Sequence, residues 1–242
     1  MEFKELNYHY NVEVTREQQL EMSTAFPVLM RKVYVWMAMA LVITGLTAWL
    51  VATNASLLNL IYGNSVAIWV LIIAELALVV GLSAAINKLS LTMATLMFVL
   101  YSVINGAVFS SIFLVYTTSS IATVFFITAG TFAAMSVFGY VTKADLSSMG
   151  KLLMMALIGL IIATVVNLFM KSSGLDMIIS YAGVLIFVGL TAYDTQKIKN
   201  MCLQAPDAGE SMQKLALLGA LSLYLDFINL FIYLLRILGK RE

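Results

Sequence analysis

Residues 215–235 read LALLGALSLYLDFINLFIYLL and residues 177–196 read MIISYAGVLIFVGLTAYDTQ. Each run is about the length that crosses ~30 Å of hydrocarbon as a single helix. Each also carries one aspartate, Asp226 in the first and Asp194 in the second. A carboxylate at the bilayer centre costs about 2.5 kcal/mol or more, so such a group is paired, proton-bound or lining a wet cavity, and it marks function. The search for an activity therefore starts at these two residues.

Working outward, five further apolar stretches fall at about 33–52, 66–86, 91–116, 119–140 and 152–170, which with 177–197 and 215–238 make seven spans. The whole composition agrees: 62% hydrophobic and 11% charged residues, two prolines in 242 residues, and a mean hydropathy of +0.96. This predicts an all-α polytopic membrane protein, one seven-helix domain over 31–240 preceded by a polar N-terminal segment, 1–30. The connections are short, the longest being IKNMCLQAPDAGESMQK at 198–214 with Pro206 and Gly209. A lone cysteine, Cys202, excludes disulfide stapling, and a net charge of +1 points away from nucleic acid. The mixed-charge opening lacks the apolar core of a cleavable signal, so the first span is expected to direct insertion.

Orientation follows from the lysines and arginines, because short cytoplasmic loops carry the positive excess. With the N-terminus in the cytoplasm, that side holds Lys4, Arg16, Arg31, Lys32, Lys88, Lys143, Lys151, Lys197, Lys199 and Lys214, and the other holds Lys171 before the last span. Arg236, Lys240 and Arg241 emerge outside if the seventh span crosses and stay inside if it re-enters.

The seventh span places Ser222, Asp226, Asn229, Tyr233, Arg236 and Lys240 at alternating steps of four and three, hence on one helical face. A continuous polar stripe cannot face lipid, so this helix should be central, wrapped by the other six. Ser222, Asn229 and Tyr233 also read as interhelical glue, worth ~0.6–2 kcal/mol each. Glu75 is a third intramembrane acid, with no basic residue within two turns. Its expected company is a proton or the polar face of the third span, where Ser102, Asn105, Gly106 and Ser110 lie together. Asn167 stands alone and reads as glue.

Asp194 has a local alternative, because Lys197 or Lys199 could pair with it near the interface. Asp226 lies about 18 Å from Lys214 along the helix, against ~4–5 Å between Asp194 and Lys197, at 1.5 Å per residue. The two acids meet only if residues 211–219 stand clear of the membrane. Two carboxylates brought together in low dielectric cannot both ionise cheaply, so the pair holds one proton and titrates as a unit. Gain or loss of that proton shifts a two-state equilibrium between the last two helices. Calcium prefers six to eight oxygens, so Asp194 and Asp226 alone make a weak site, which suits permeation. No cofactor is indicated.

The strings AYDTQKI at 192–198, LYLDFINLFIYLLRILG at 223–239, NGAVFSSIFLVYT at 105–117, FFITAGTFAAMSVFGYVTKADLSSMG at 125–150 and INKLS at 86–90 resemble the bacterial branch of the Bax inhibitor motif family. The resemblance covers essentially 30–240. It implies a seven-helix bundle with a central seventh helix, a pH-sensitive calcium leak, and Asp194 with Asp226 as pH sensor and gate. It further implies an inner-membrane location, with lipid, calcium and protons as partners. One position departs from the pattern: where relatives carry an arginine able to latch an aspartate, this chain has Ala85. The pair is then left to a shared proton, to Lys88 or Lys197, or to a bound cation.

Two other classes compete. An intramembrane aspartyl protease also uses a Tyr-Asp pair on its sixth span, as Tyr193 and Asp194 would be. The seventh span reads Leu223, Tyr224, Leu225, Asp226 instead of G-x-G-D, and no P-A-L string follows, so the reading is non-enzymatic. A non-conducting regulator of other membrane proteins, such as a membrane protease or cell-death proteins, is compatible with the same polar faces.

Overall fold

The computed structural model describes residues 16–205 and 207–241, with side chains from Thr24 onward. Residues 1–15 of the expected N-terminal segment and Pro206 lie outside the described residues. Among the described residues the helices are α1 (Arg16–Thr53), α2 (Ala55–Tyr62), α3 (Ser65–Ala85), α4 (Leu91–Phe109), α5 (Ile112–Val115), α6 (Thr118–Val141), α7 (Ser147–Met170), α8 (Ser173–Leu203) and α9 (Glu210–Leu238), and there is no strand. Seven helical stretches are long and apolar enough to cross a membrane: α1, α3, α4 continued by α5, α6, α7, α8 and α9. The expected all-α architecture of seven spans is borne out.

Short polar connections end one helix and cap the next. Ser90 Oγ accepts from Met93 N at 3.2 Å, Thr117 Oγ1 from Ser120 N at 3.3 Å, and Ser172 Oγ from Leu175 N at 3.4 Å. Each satisfies a backbone donor that the first helical turn leaves open. Lys171 ends α7 in a left-handed conformation, φ 50°, and Asn167 helps by accepting from Ser172 N at 3.0 Å. Asn167 therefore shapes a connection.

Two boundaries differ from the sequence expectation. Helix α1 spans Arg16–Thr53, 38 residues, so residues 16–30 of the segment 1–30 are helical. The third span, expected as one helix over 91–116, breaks at Ser110 and Ser111. There the Ser110 hydroxyl donates to the Ala107 carbonyl at 2.7 Å, and Tyr62 of α2 donates to the Val108 carbonyl at 2.6 Å. Side chains thus take carbonyls at the point where the regular ladder ends.

Helix α9 occupies the centre. Of its apolar stretch 67% is buried, against 6–44% for the other six spans, and it packs on α8, α1, α6 and α4. The least buried are α3 at 6% and α7 at 11%. Their Ile73, Leu76, Val80, Met155 and Phe169 side chains point outward, as lipid contact requires.

Both ends of α9 are tied down. At one end, the near end, Lys214 Nζ donates to the Leu89 carbonyl at 2.8 Å and pairs with Glu210 at 3.3 Å, while Lys32 Nζ donates to Gln213 Oε1 at 2.6 Å. At the far end an isolated antiparallel bridge joins Arg241 to Tyr116, Thr117 N donates to the Lys240 carbonyl at 3.1 Å, and Lys240 N donates to Ser120 Oγ at 2.9 Å. Helix α9 therefore crosses the whole bundle, and the re-entrant alternative is excluded. Lys240 and Arg241 lie beside the α5–α6 connection.

Close packing rests on small residues. A Cβ built on Gly139 of α6 would run into the backbone carbonyl of Ala192 on α8. Gly139→Ala should therefore push these helices apart and cost about 1–3 kcal/mol, read as a lowered unfolding temperature in detergent. For the topology, cysteines placed at Asn87 and Arg241 should react with an impermeant thiol reagent from opposite faces of the membrane, the native Cys202 being buried.

Candidate functional site

The register of the α8–α9 hairpin decides which polar groups meet. Gly219 lies against Ile198, the Ser222 hydroxyl lies beside the Asp194 carboxylate, and Gly183 lies under the Tyr233 ring. Phe187 stacks on Tyr233 at 5.9 Å. This succession brings Asp226, one turn beyond Ser222, to the same seam as Asp194, within electrostatic reach of it. The helix lengths explain how two acids at different sequence depths come level. With 31 and 29 residues, α8 and α9 measure about 46 and 43 Å at 1.5 Å per residue, well beyond ~30 Å of hydrocarbon. The first turns of α9 thus have room to stand outside.

The two carboxyls have unequal surroundings. Asp194 is half-buried, with the Ser222 hydroxyl beside it and Lys197 as the cation acting on it. Asp226 is 4% exposed, and its Oδ2 is buried with no hydrogen-bond partner. Asp194 borders a cleft of about 320 Å³ that Ser83, Lys197, Ile198 and Ser222 also line. That cleft shares Lys197, Met201 and Leu215 with a near-end hollow of about 440 Å³ bearing Tyr193, Gln196, Asn200 and Gln204. The two hollows thus adjoin at Lys197, Met201 and Leu215; the inner one reaches Asp194, and Asp226 does not line it.

Lys197 and Lys199 part company. Lys199 Nζ donates to the Tyr140 carbonyl at 2.6 Å and sits 5.1 Å from the Tyr140 ring, so it does not pair with Asp194. Among the described residues the ion pairs within 4 Å are Lys214–Glu210 and Arg236–Asp176. At Ala85, where a latching arginine is absent, the backbone carbonyl turns back to Lys88 N at 2.8 Å and Leu89 N at 3.1 Å. Lys197 is the cation that acts on Asp194.

The polar stripe of α9 divides. Asn229 donates to its own helix, at the Leu225 carbonyl, 2.8 Å away. Tyr233 and Arg236 belong to the far end, where Arg236 lies 5.5 Å from the Tyr233 ring and 3.4 Å from Asp176 Oδ1. Glu75 and Asn105 do come together, but in a separate cluster on the α4 side of α9. Sequence reasoning missed two members of that cluster, Tyr224 and Thr44, whose hydroxyls lie 2.7 Å apart in the core. A tyrosine in mid-membrane, two residues before Asp226, was a signal for Tyr224, since a buried phenol needs a partner. Thr44 carried none.

Among the described residues no three His, Cys, Asp or Glu side chains gather, so the seam offers calcium two carboxylates and some hydroxyls. That is fewer oxygens than a storage site uses.

Comparison with known proteins bears on this geometry. The sequence pattern of the family "Inhibitor of apoptosis-promoting Bax1" matches residues 27–242. The inner membrane protein YbhL of Escherichia coli K12 is 53% identical over 214 residues, covering 88% of this chain and 92% of that one. An uncharacterized protein of Borreliella burgdorferi is 45% identical over 232 residues, 96% of this chain and 99% of the other. Another from Deinococcus radiodurans is 40% identical over 231 residues, 96% of this chain and 97% of the other.

If the two carboxyls interact across the seam, their replacements are not independent. In a double-mutant cycle of Asp194→Asn and Asp226→Asn, unfolding in detergent at alkaline pH should show a coupling of about 0.5–3 kcal/mol, the first neutralisation relieving repulsion. Additive effects at every pH would deny the interaction.

Proposed function

Because this chain belongs to the Bax inhibitor family and is an integral membrane protein whose last two helices meet at two aspartates, we propose that it is a pH-sensitive, calcium-permeable leak of the bacterial inner membrane gated by Asp194 and Asp226. The observation that carries this reading is the buried, unpartnered Oδ2 of Asp226 on the central helix, within electrostatic reach of Asp194, which borders a cleft. A carboxyl in that position has little to hold it except a proton shared with its neighbour.

Shared, the proton ties α8 to α9 and keeps the seam closed. On its departure two negative charges face each other in a medium of low dielectric, and the repulsion favours a separated seam. Calcium then finds two carboxylates and the Ser222 hydroxyl, a set weak enough to release what it binds. Beyond Asp226 towards the far end, Phe227 packs 5.4 Å from Phe125 and 5.5 Å from Phe132, and Phe231 packs 6.2 Å from Phe125. These rings form an apolar plug that opposes hydration while the helices are closed. The excess of lysine at the near end supports a cytoplasmic position for that end and for the N-terminus.

Calcium flux into liposomes holding the purified chain tests the reading across pH 6 to 8. Wild type should give a pH-dependent flux, and Asp194→Asn and Asp226→Asn should each flatten the pH response. Absence of flux at every pH would favour a non-conducting regulator of membrane partners. Cleavage of a reporter helix, abolished by either substitution, would indicate a protease.

A further inference from the structure

Four cations stand at the far end of the bundle, Lys171, Arg236, Lys240 and Arg241, against one acid, Asp176, among the described residues. Lys240 and Arg241 lie against the α5–α6 connection. Lys171 and Arg236 converge elsewhere, on a hollow of about 380 Å³ between the far ends of α7, α8 and α9 that Asn167, Asp176, Val165 and Leu168 also line.

The cations of this hollow are not used up within the chain. Arg236 donates from Nη1 to Asp176 Oδ1 at 3.4 Å, and a guanidinium carries five N–H donors in all. Among the described residues the Lys171 ammonium has no hydrogen-bond or ion-pair partner. The backbone holds that lysine in an unusual place. Lys171 is the one non-glycine residue with positive φ among the described residues, at φ 50° and ψ 35°, where the end of a helix ordinarily has glycine or asparagine. Asn167 fixes the turn twice, its carbonyl accepting from Lys171 N at 2.7 Å and its side chain from Ser172 N at 3.0 Å. A lysine is thus kept where its own backbone preference opposes it, at the rim of a hollow that already holds an arginine.

The lining sets the chemistry of the ligand. Two cations and one acid leave this hollow with a single positive charge, which one phosphodiester neutralises. Val165 and Leu168 are 52% and 64% exposed on α7, a span only 11% buried, so one wall continues into the surface that faces hydrocarbon. A small soluble anion would cover the cations and leave that wall bare. An amphiphile with a phosphate head and a hydrocarbon chain covers both.

We propose that this hollow binds an anionic phospholipid of the far leaflet, with its phosphodiester between the Lys171 ammonium and the Arg236 guanidinium and an acyl chain along Val165 and Leu168. Asp176 positions Arg236 and disfavours a second negative charge. Bound in this way, the lipid joins the end of α7 to the end of the central helix. The site is separate from the Asp194–Asp226 seam.

Native mass spectrometry of the full chain, released from detergent after addition of phosphatidylglycerol, phosphatidylcholine or glycerophosphoglycerol, tests this without reference to transport. One phosphatidylglycerol per chain should be held about fivefold more tightly than phosphatidylcholine, the gain that one cation gives beside an anionic lipid. Glycerophosphoglycerol, the same head without its chains, should not be retained. Lys171→Asn, which tolerates the left-handed turn, should bring the two lipids level, whereas Lys240→Gln, a far-end cation outside this hollow, should leave the preference intact. Phosphatidylcholine held equally by the wild type, glycerophosphoglycerol held as tightly as the lipid, or a preference unchanged in Lys171→Asn would overturn the proposal. So would an equal loss in Lys240→Gln, which would mark a diffuse attraction to the basic far end.

Discussion

The constraint on which this structure depends is that polar side chains on a membrane-crossing helix must be satisfied by protein and not by lipid. Helix α9 carries Ser222, Tyr224, Asp226, Asn229 and Tyr233 within three turns, and the bundle is arranged to cover them. Its neighbours supply hydroxyls, an amide and a second carboxyl, while α3 and α7 present nearly continuous apolar surfaces to the outside. Centrality of the last helix is thus a consequence of its chemistry.

Much of this was legible beforehand. Length and hydropathy delimit the spans to within a few residues, except at α1, where helix continues back to Arg16 through the polar run REQQLEMST, and in the third span, where Ser110 and Ser111 interrupt a stretch whose apolarity suggested continuity. Polar spacing on the seventh span foretold its burial. The division of that stripe was not legible, because it depends on what each neighbour brings. Asn229 turns to its own backbone, Arg236 finds Asp176, and Asp226 finds Asp194, all through a hairpin register set by contacts such as Gly183 beneath Tyr233. Helical periodicity places residues on a face; it does not say which helix that face meets.

The two acidic sites differ in access. Asp194 is half-buried and borders a cleft that adjoins the near-end hollow, whereas Asp226 is buried. Glu75 lies apart from them against Asn105, its Oε1 buried and without a hydrogen-bond partner. With the ends of α9 also clamped, by Lys214 on the Leu89 carbonyl and by Arg241 against Tyr116, motion at the seam falls to α8 moving against α9.

The claim that everything functional here rests on is the approach of the Asp194 and Asp226 side chains inside the bilayer. Solid-state NMR of the chain in lipid, with both carboxyl carbons labelled, measures it directly by transfer of magnetisation between them. The account predicts a cross-peak that disappears from the carboxyl region when either residue is changed to asparagine. A spectrum in which Asp194 correlates with Ser222 while Asp226 shows no transfer to Asp194 would contradict it.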